Sequence, residues 1–136
     1  MDENAVVAAL CPFLEKNGYK IIQRLHTTQQ GVDIIAQHFS GREMFVEVKG
    51  ATSSRAGSAR FGKGFSGTQV FDRVAKGVFT SLQLREKYAD RDIYEVALAV
   101  PDTPRFRRYL ESVAQALSTA GLRIFLVGSN LAVEEL

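Results

Sequence analysis

The chain has 136 residues, 46% apolar and 24% charged, with a formal net charge of +2; this suits one domain spanning 1–136 and excludes a fibre or a disordered tail. One cysteine, Cys11, and two histidines provide neither an internal disulfide nor a zinc-ligand spacing. No run reaches the ~18 apolar residues of a membrane helix, and the first residues, with Asp2 and Glu3, are unlike a secretory signal, so a reducing, cytoplasmic setting is expected.

In chain order, residues 2–17 read as a helix with Val6, Val7, Leu10, Phe13 and Leu14 on one stripe, and Asn17-Gly18 as its stop. Pro12 removes a backbone donor inside that helix and predicts a kink or break there. Strands are expected at 19–25, 32–39 and 43–49, the last two joined by a tight Ser40-Gly41 turn into a hairpin. From Thr68, a candidate N-cap, to about Tyr88, the residues Phe71, Val74, Ala75, Val78 and Leu82 recur at helical spacing, with Asp72, Arg73, Lys76 and Lys87 opposite. Residues 93–100 form a nearly unbroken apolar run, as in a strand buried on both faces. A helix over 106–119 and a buried strand over 122–127 complete the order αβββαβαβ. That order describes an α/β fold, a mixed central sheet flanked by helices.

Charge is unevenly spread. Between Val48 and Phe71 lie Lys49, Arg55, Arg60 and Lys63 without an acidic residue, among five glycines and the aromatics Phe61 and Phe65. A cationic, glycine-rich loop with interleaved aromatics suits a phosphate backbone, although a solvated surface loop has the same composition. The later cluster Arg105, Arg107 and Arg108 reads as ordinary exposed charge in a first helical turn. His26, His38 and Tyr19 receive no catalytic role, and Cys11 on the first helix stripe reads as core.

The chemistry concentrates in the hairpin. Residues two apart in a strand share a face, so Glu47 and Lys49 project together while Val48 turns away. The neighbouring strand, about 4.8 Å off, can set Asp33 beside Glu47. Two adjacent carboxylates repel unless a cation or a proton lies between them. With a lysine alongside, they suit a hard divalent ion such as Mg²⁺, which polarises a phosphoryl oxygen and acidifies a bound water. Lys49 then stabilises charge developing on phosphate or orients the attacking water. An exposed hairpin with an ordinary Glu47–Lys49 pair is the plainer alternative.

These residues carry a resemblance. A helix, a strand entered at "GY", a strand with "GVDIIA", a strand with "FVEVKG" and a following helix resemble the core of the PD-(D/E)XK nuclease superfamily. The similarity runs from about Glu3 to Gln83, and small Holliday-junction resolvases and restriction-endonuclease-like proteins look most alike. The resemblance implies a restriction-endonuclease-like fold and a Mg²⁺-dependent phosphodiesterase acting on DNA, with Mn²⁺ able to substitute. It implies that Asp33, Glu47 and the Val48 backbone carbonyl hold the metal and that Lys49 is the catalytic lysine. It also brings in Glu3 in the first helix, with Glu15 as fallback, and Gln69 at the start of the next helix. Val32 stands where many members have proline.

The resulting expectation is a metal-dependent endodeoxyribonuclease in which Glu3 and Gln69 assist, and Arg55, Arg60, Lys63, Gln69 and Arg73 contact DNA. A chain of this length has no separate specificity domain, so it reads DNA shape or relies on a targeting protein partner. Two cuts in a branched or duplex substrate would come from a homodimer. A non-catalytic nucleic-acid-binding module on the same fold and an RNA-processing nuclease are the alternatives.

Overall fold

Helix α1 (Glu3–Lys16) opens the chain in a computed structural model that describes residues 1–25, 31–51 and 67–136. Strands β1 (Tyr19–Arg24), β2 (Ile34–His38) and β3 (Glu43–Val48) follow, then α2 (Gly67–Lys87), β4 (Tyr94–Pro101), α3 (Pro104–Glu111), α4 (Ala114–Thr119), β5 (Leu122–Val127) and β6 (Val133–Glu135). The strands form one sheet in the order β1-β2-β3-β4-β5-β6. β1, β2 and β3 are antiparallel neighbours, β3, β4 and β5 run parallel, and β6 returns antiparallel to β5. This is the mixed α/β sheet flanked by helices expected above.

The two faces carry separate cores. On one, Val6, Leu10 and Leu14 of α1 pack against Ile34, Ala36, Met44, Val46, Val48, Ala97 and Ala99, with Cys11 buried among them. On the other, Val70 and Val74 of α2 meet Val96, Leu98, Val100, Phe106, Leu110 and Ile124. Alternation along β4 and β5 thus feeds both cores, which is why β4 reads as a continuous apolar run.

Four expectations change. The order is αβββαβααββ: the helix expected over 106–119 breaks at Ser112-Val113, where the Ser112 hydroxyl donates to the Tyr109 carbonyl at 2.6 Å and Val113 leaves helical geometry (φ −128°, ψ 12°). Strand β6 was not foreseen; it has three residues and pairs only through a turn at Leu131 with φ 67°. Helix α1 runs through Pro12 without a break. Pro12 and Ala8, whose carbonyl loses its intrahelical donor, both face solvent, so water satisfies that carbonyl. Finally, α2 begins at Gly67, which puts Thr68 inside the helix, and the buried stripe is Val70, Val74, Gly77, Ser81 and Arg85. The more apolar stripe read from sequence leaves Phe71 53% and Leu82 39% exposed. Close approach to the sheet decides that phase, because a Cβ at Gly77 would lie 2.8 Å from Leu98 Cδ1.

Candidate active site

The hairpin register sets the site. Ile34 pairs with Val46, and continuing by one residue puts Asp33, just before β2, across from Glu47 near the end of β3. Ile34, Val46 and Val48 belong to the α1-side core, so alternation turns Asp33, Glu47 and Lys49 to the α2 side. The Val48 amide donates to Asp33 Oδ2 at 2.8 Å, which ties the carboxylate to the end of β3. Lys49 Nζ lies 3.1 Å from Glu47 Oε1. The Lys49 amide donates to the Ala99 carbonyl at 3.0 Å, carrying the sheet's pairing one residue past β3.

Two glycines let the helices close on this site. A Cβ at Gly77 of α2 would stand 3.2 Å from Lys49 Cγ, so the helix rests on the lysine stem. A Cβ at Gly50 would fall 2.7 Å from the Glu3 amide nitrogen, so the chain leaving β3 passes directly under the first turn of α1. Asp2 caps that turn by accepting from the Ala5 amide at 2.9 Å. Glu3 is thereby aimed across to α2, where its Oε1 lies 2.8 Å from Arg73 Nη2.

Electrostatics follow from burial. Glu47 is 9% exposed; desolvation and then the Asp33 charge push its carboxyl from 4.5 up to about 7, against the opposing pull of Lys49. Burial also raises Asp33, countered by the Val48 amide, Lys49 and a hydrogen bond with the Glu47 side chain. The pair thus shares a proton near neutrality, held mainly by Glu47. Desolvation raises Glu3 as well, while Arg73 and Lys49 lower it and Asp33 adds to the rise. Three carboxylates face two cations in a half-buried setting.

A hard cation suits this donor set. Among the described residues no three His, Cys, Asp or Glu side chains converge to hold an ion by themselves. The side-chain donors are therefore the two carboxylates, with main-chain carbonyl and water left to complete a shell, the pattern of Mg²⁺ rather than zinc.

The remaining sequence candidates divide clearly. Gln69 sits partly buried in the first turn of α2. Arg73 is engaged with Glu3. Glu15 is exposed near the far end of α1, away from the Asp33–Glu47 pair, so Glu3 is the helix carboxylate beside the site. Arg55, Arg60 and Lys63 lie outside the described residues. Arg107 is structural: it grips Asp102 through two bonds of 3.0 and 2.8 Å and reaches Glu134 at 2.8 Å. Sequence reading did not single out Gly50 and Gly77 as the positions where the two helices approach the site, and it placed Arg73 only on a polar helix face. The i, i+4 spacing of Arg73, Gly77 and Ser81 around the buried stripe carried that signal.

Residues 8–68 match the model of "Uncharacterised protein family UPF0102". UPF0102 proteins of Thermotoga petrophila, Thermotoga sp. strain RQ2 and Thermotoga maritima are each 47% identical over 51 residues, a stretch covering 36% of this chain and 45% of theirs. The chain thus spans less than half the length of these curated relatives. Among solved structures, that of an EndoMS–dsDNA2 complex is similar at a TM-score of 0.43 and 17% identity, covering 91% of this chain and 45% of that one. The match to the UPF0102 family model runs through the segment that carries Asp33, Glu47 and Lys49.

Proposed function

We propose that the protein is a metal-dependent nuclease that hydrolyses DNA phosphodiester bonds. The observation carrying this reading is the Asp33–Glu47 pair, half-buried and buried respectively, opposed across a hairpin end with Lys49 Nζ 3.1 Å from Glu47. A carboxyl pushed up to about 7 by burial and a like charge costs folding free energy, and a divalent cation relieves that cost. Asp33, Glu47 and the Val48 carbonyl would hold Mg²⁺ or Mn²⁺. Bound there, the ion supplies Lewis acidity toward a phosphoryl oxygen and toward a water ligand.

The chain's own residues do the rest. The Val48 amide fixes the rotamer of Asp33, so one carboxylate is already oriented. Glu47 must release its proton for the pair to bind a cation, and Lys49 favours that release. Lys49, whose Nζ lies 3.1 Å from Glu47 Oε1, would stabilise charge building on a phosphate oxygen. Glu3 and Gln69, from the first turns of α1 and α2, orient water and substrate beside it. Arg73 holds Glu3 in place and, with Arg55, Arg60 and Lys63, contacts the DNA backbone. A DNA-shape preference, a homodimer that makes paired cuts, and recruitment by a protein partner belong to the same proposal.

The test is incubation with Mn²⁺ or Mg²⁺ and a panel of linear, nicked, flapped and four-way-junction DNA, with matched RNA. Cleavage of DNA in preference to RNA, abolished by EDTA and by Lys49→Ala, is the expected result. Shape-selective DNA binding without cleavage, unchanged in Lys49→Ala, would instead establish a binding module on a nuclease fold.

A further inference from the structure

At the end of the sheet opposite Asp33 and Glu47, four arginines line one cleft. Arg42 precedes β3, Arg85 ends α2, Arg91 lies in the turn before β4, and Arg123 is the second residue of β5. They border a cavity of about 200 Å³ together with Gly121 and Glu95. β3 separates this cleft from Lys49 by about 20 Å at a strand's rise per residue.

The arginines are drawn together by specific geometry. Gly121, at φ +86°, carries no side chain where one would collide with two of them: its Cβ would lie 3.0 Å from Arg91 Cζ and 3.2 Å from Arg85 Cδ. Arg42 Nη2 donates to the Arg91 carbonyl at 3.0 Å. Arg42 and Arg123 both approach Glu95 Oε1, at 3.3 and 3.0 Å.

Negative charge does not match this set. Among the described residues Glu95 is the one carboxylate lining the cleft, and its other oxygen accepts from the Tyr19 hydroxyl. Glu135 pairs with Arg123 from outside the cleft at 2.8 Å. Asp90 and Asp92 flank Arg91 in the chain, yet among the described residues neither forms an ion pair with it, and Asp90 accepts from the Asp92 amide at 3.0 Å. Arg85 is 9% exposed and, among the described residues, bonded to the main-chain carbonyls of Gly121, Tyr88 and Tyr94, which satisfy donors without neutralising charge. The Nε atoms of Arg85 and Arg42 are buried and have no acceptor among the described residues. Burial, and then the charges of Arg91 and Arg42, act to lower Arg85 below the usual guanidinium range, the mark of uncompensated cations.

We propose that this cleft is a phosphate-binding site, in which Arg91 and Arg42 close on a phosphate group seated against Gly121 above the buried Arg85. Planar guanidinium forks match phosphate oxygens in bidentate fashion, and the cavity of about 200 Å³ admits one such group. The phosphate comes either from a nucleic-acid backbone that also reaches the Asp33–Glu47 site or from a free phosphate compound. The site stands whether or not the chain cleaves DNA, because none of its residues belongs to the proposed nuclease centre.

The experiment is titration of the full chain with inorganic phosphate at constant ionic strength, followed by the NMR signals of the Gly121 amide and the arginine Nε–H groups. Saturable shifts confined to these groups are expected. Binding should weaken about tenfold in Arg91→Ala, recover partly in Arg91→Lys, and stay unchanged in Asp33→Asn. A short single-stranded oligonucleotide lacking terminal phosphates distinguishes the sources: displacement of phosphate from Gly121 identifies backbone phosphate, and no displacement identifies a free compound. Absence of saturation by phosphate, or shifts equal in wild type and Arg91→Ala, overturns the proposal.

Discussion

Replacing Glu47 by Gln should make the metal-free protein more stable at alkaline pH. The native carboxyl sits at about 7 rather than 4.5, which corresponds to roughly 3 kcal/mol between the protonated and ionised forms. The native state holds the Glu47 proton more tightly than the unfolded chain does. Its contribution is therefore full below about 4.5 and is lost as pH rises through about 7. Glutamine mimics the protonated form and still donates to Asp33. It also removes the partner of Lys49, whose side chain is only 15% exposed, and this offsets part of the gain. The expected net stabilisation at pH 8 is about 1–2 kcal/mol, falling toward zero or below near pH 5. Urea denaturation in chelator, for wild type and Glu47→Gln at both pH values, reads this directly. Asp33 and Glu3 are also raised by burial and contribute the same sign of pH dependence to both proteins, so the difference reports Glu47 together with its coupling to Asp33. An equal stability difference at pH 5 and pH 8 would refute the reasoning.

Gly50→Ala should destabilise the fold by about 1–3 kcal/mol, because its methyl group would fall 2.7 Å from the Glu3 amide nitrogen; thermal melting measures it. Tyr19→Phe removes the hydroxyl that donates to buried Glu95 and should cost about 1–3 kcal/mol by urea titration; ultraviolet pH titration should find the wild-type phenol above the ordinary tyrosine value, pushed up to about 12. Val74→Ala should cost about 2 kcal/mol, whereas Phe79→Ala, at a side chain 63% exposed, should change stability by less than about 0.5 kcal/mol. Equal losses would contradict the observed phase of α2. Arg73→Ala leaves Glu3 half-buried without its strongest cation, so carbon-detected NMR titration of the Glu3 carboxyl should move to higher pH.

Local pattern carried much of this structure. The Glu47–Lys49 alternation and the Ser40-Gly41 turn fix which side chains share a face and which strands pair, so the juxtaposition of Asp33 and Glu47 was legible from spacing alone. The resemblance to PD-(D/E)XK nucleases pointed to the same residues. What escaped depends on contacts distant in sequence. Hydrophobicity favoured the stripe containing Phe71 and Leu82, but α2 is seated by what fits beneath it, and Gly77 over Leu98 and Lys49 is the place that fits. Arg85 belongs to the buried stripe because three carbonyls from separate segments receive it, which no periodicity encodes. The break at Ser112 rests on one side-chain hydrogen bond. β6 rests on its pairing with β5, flanked by ion pairs from Arg107 and Arg123 to Glu134 and Glu135, all formed only once the sheet exists.

The most direct test of the central claim is Mn²⁺ binding by electron paramagnetic resonance to wild type, Asp33→Asn and Glu47→Gln across pH 5.5 to 8.5. The account predicts a site in wild type that weakens as pH falls below about 7, where Glu47 takes up its proton, and that is lost in both variants. Equal Mn²⁺ affinity in all three proteins, or affinity in wild type independent of pH, would contradict a metal centre built on Asp33 and Glu47.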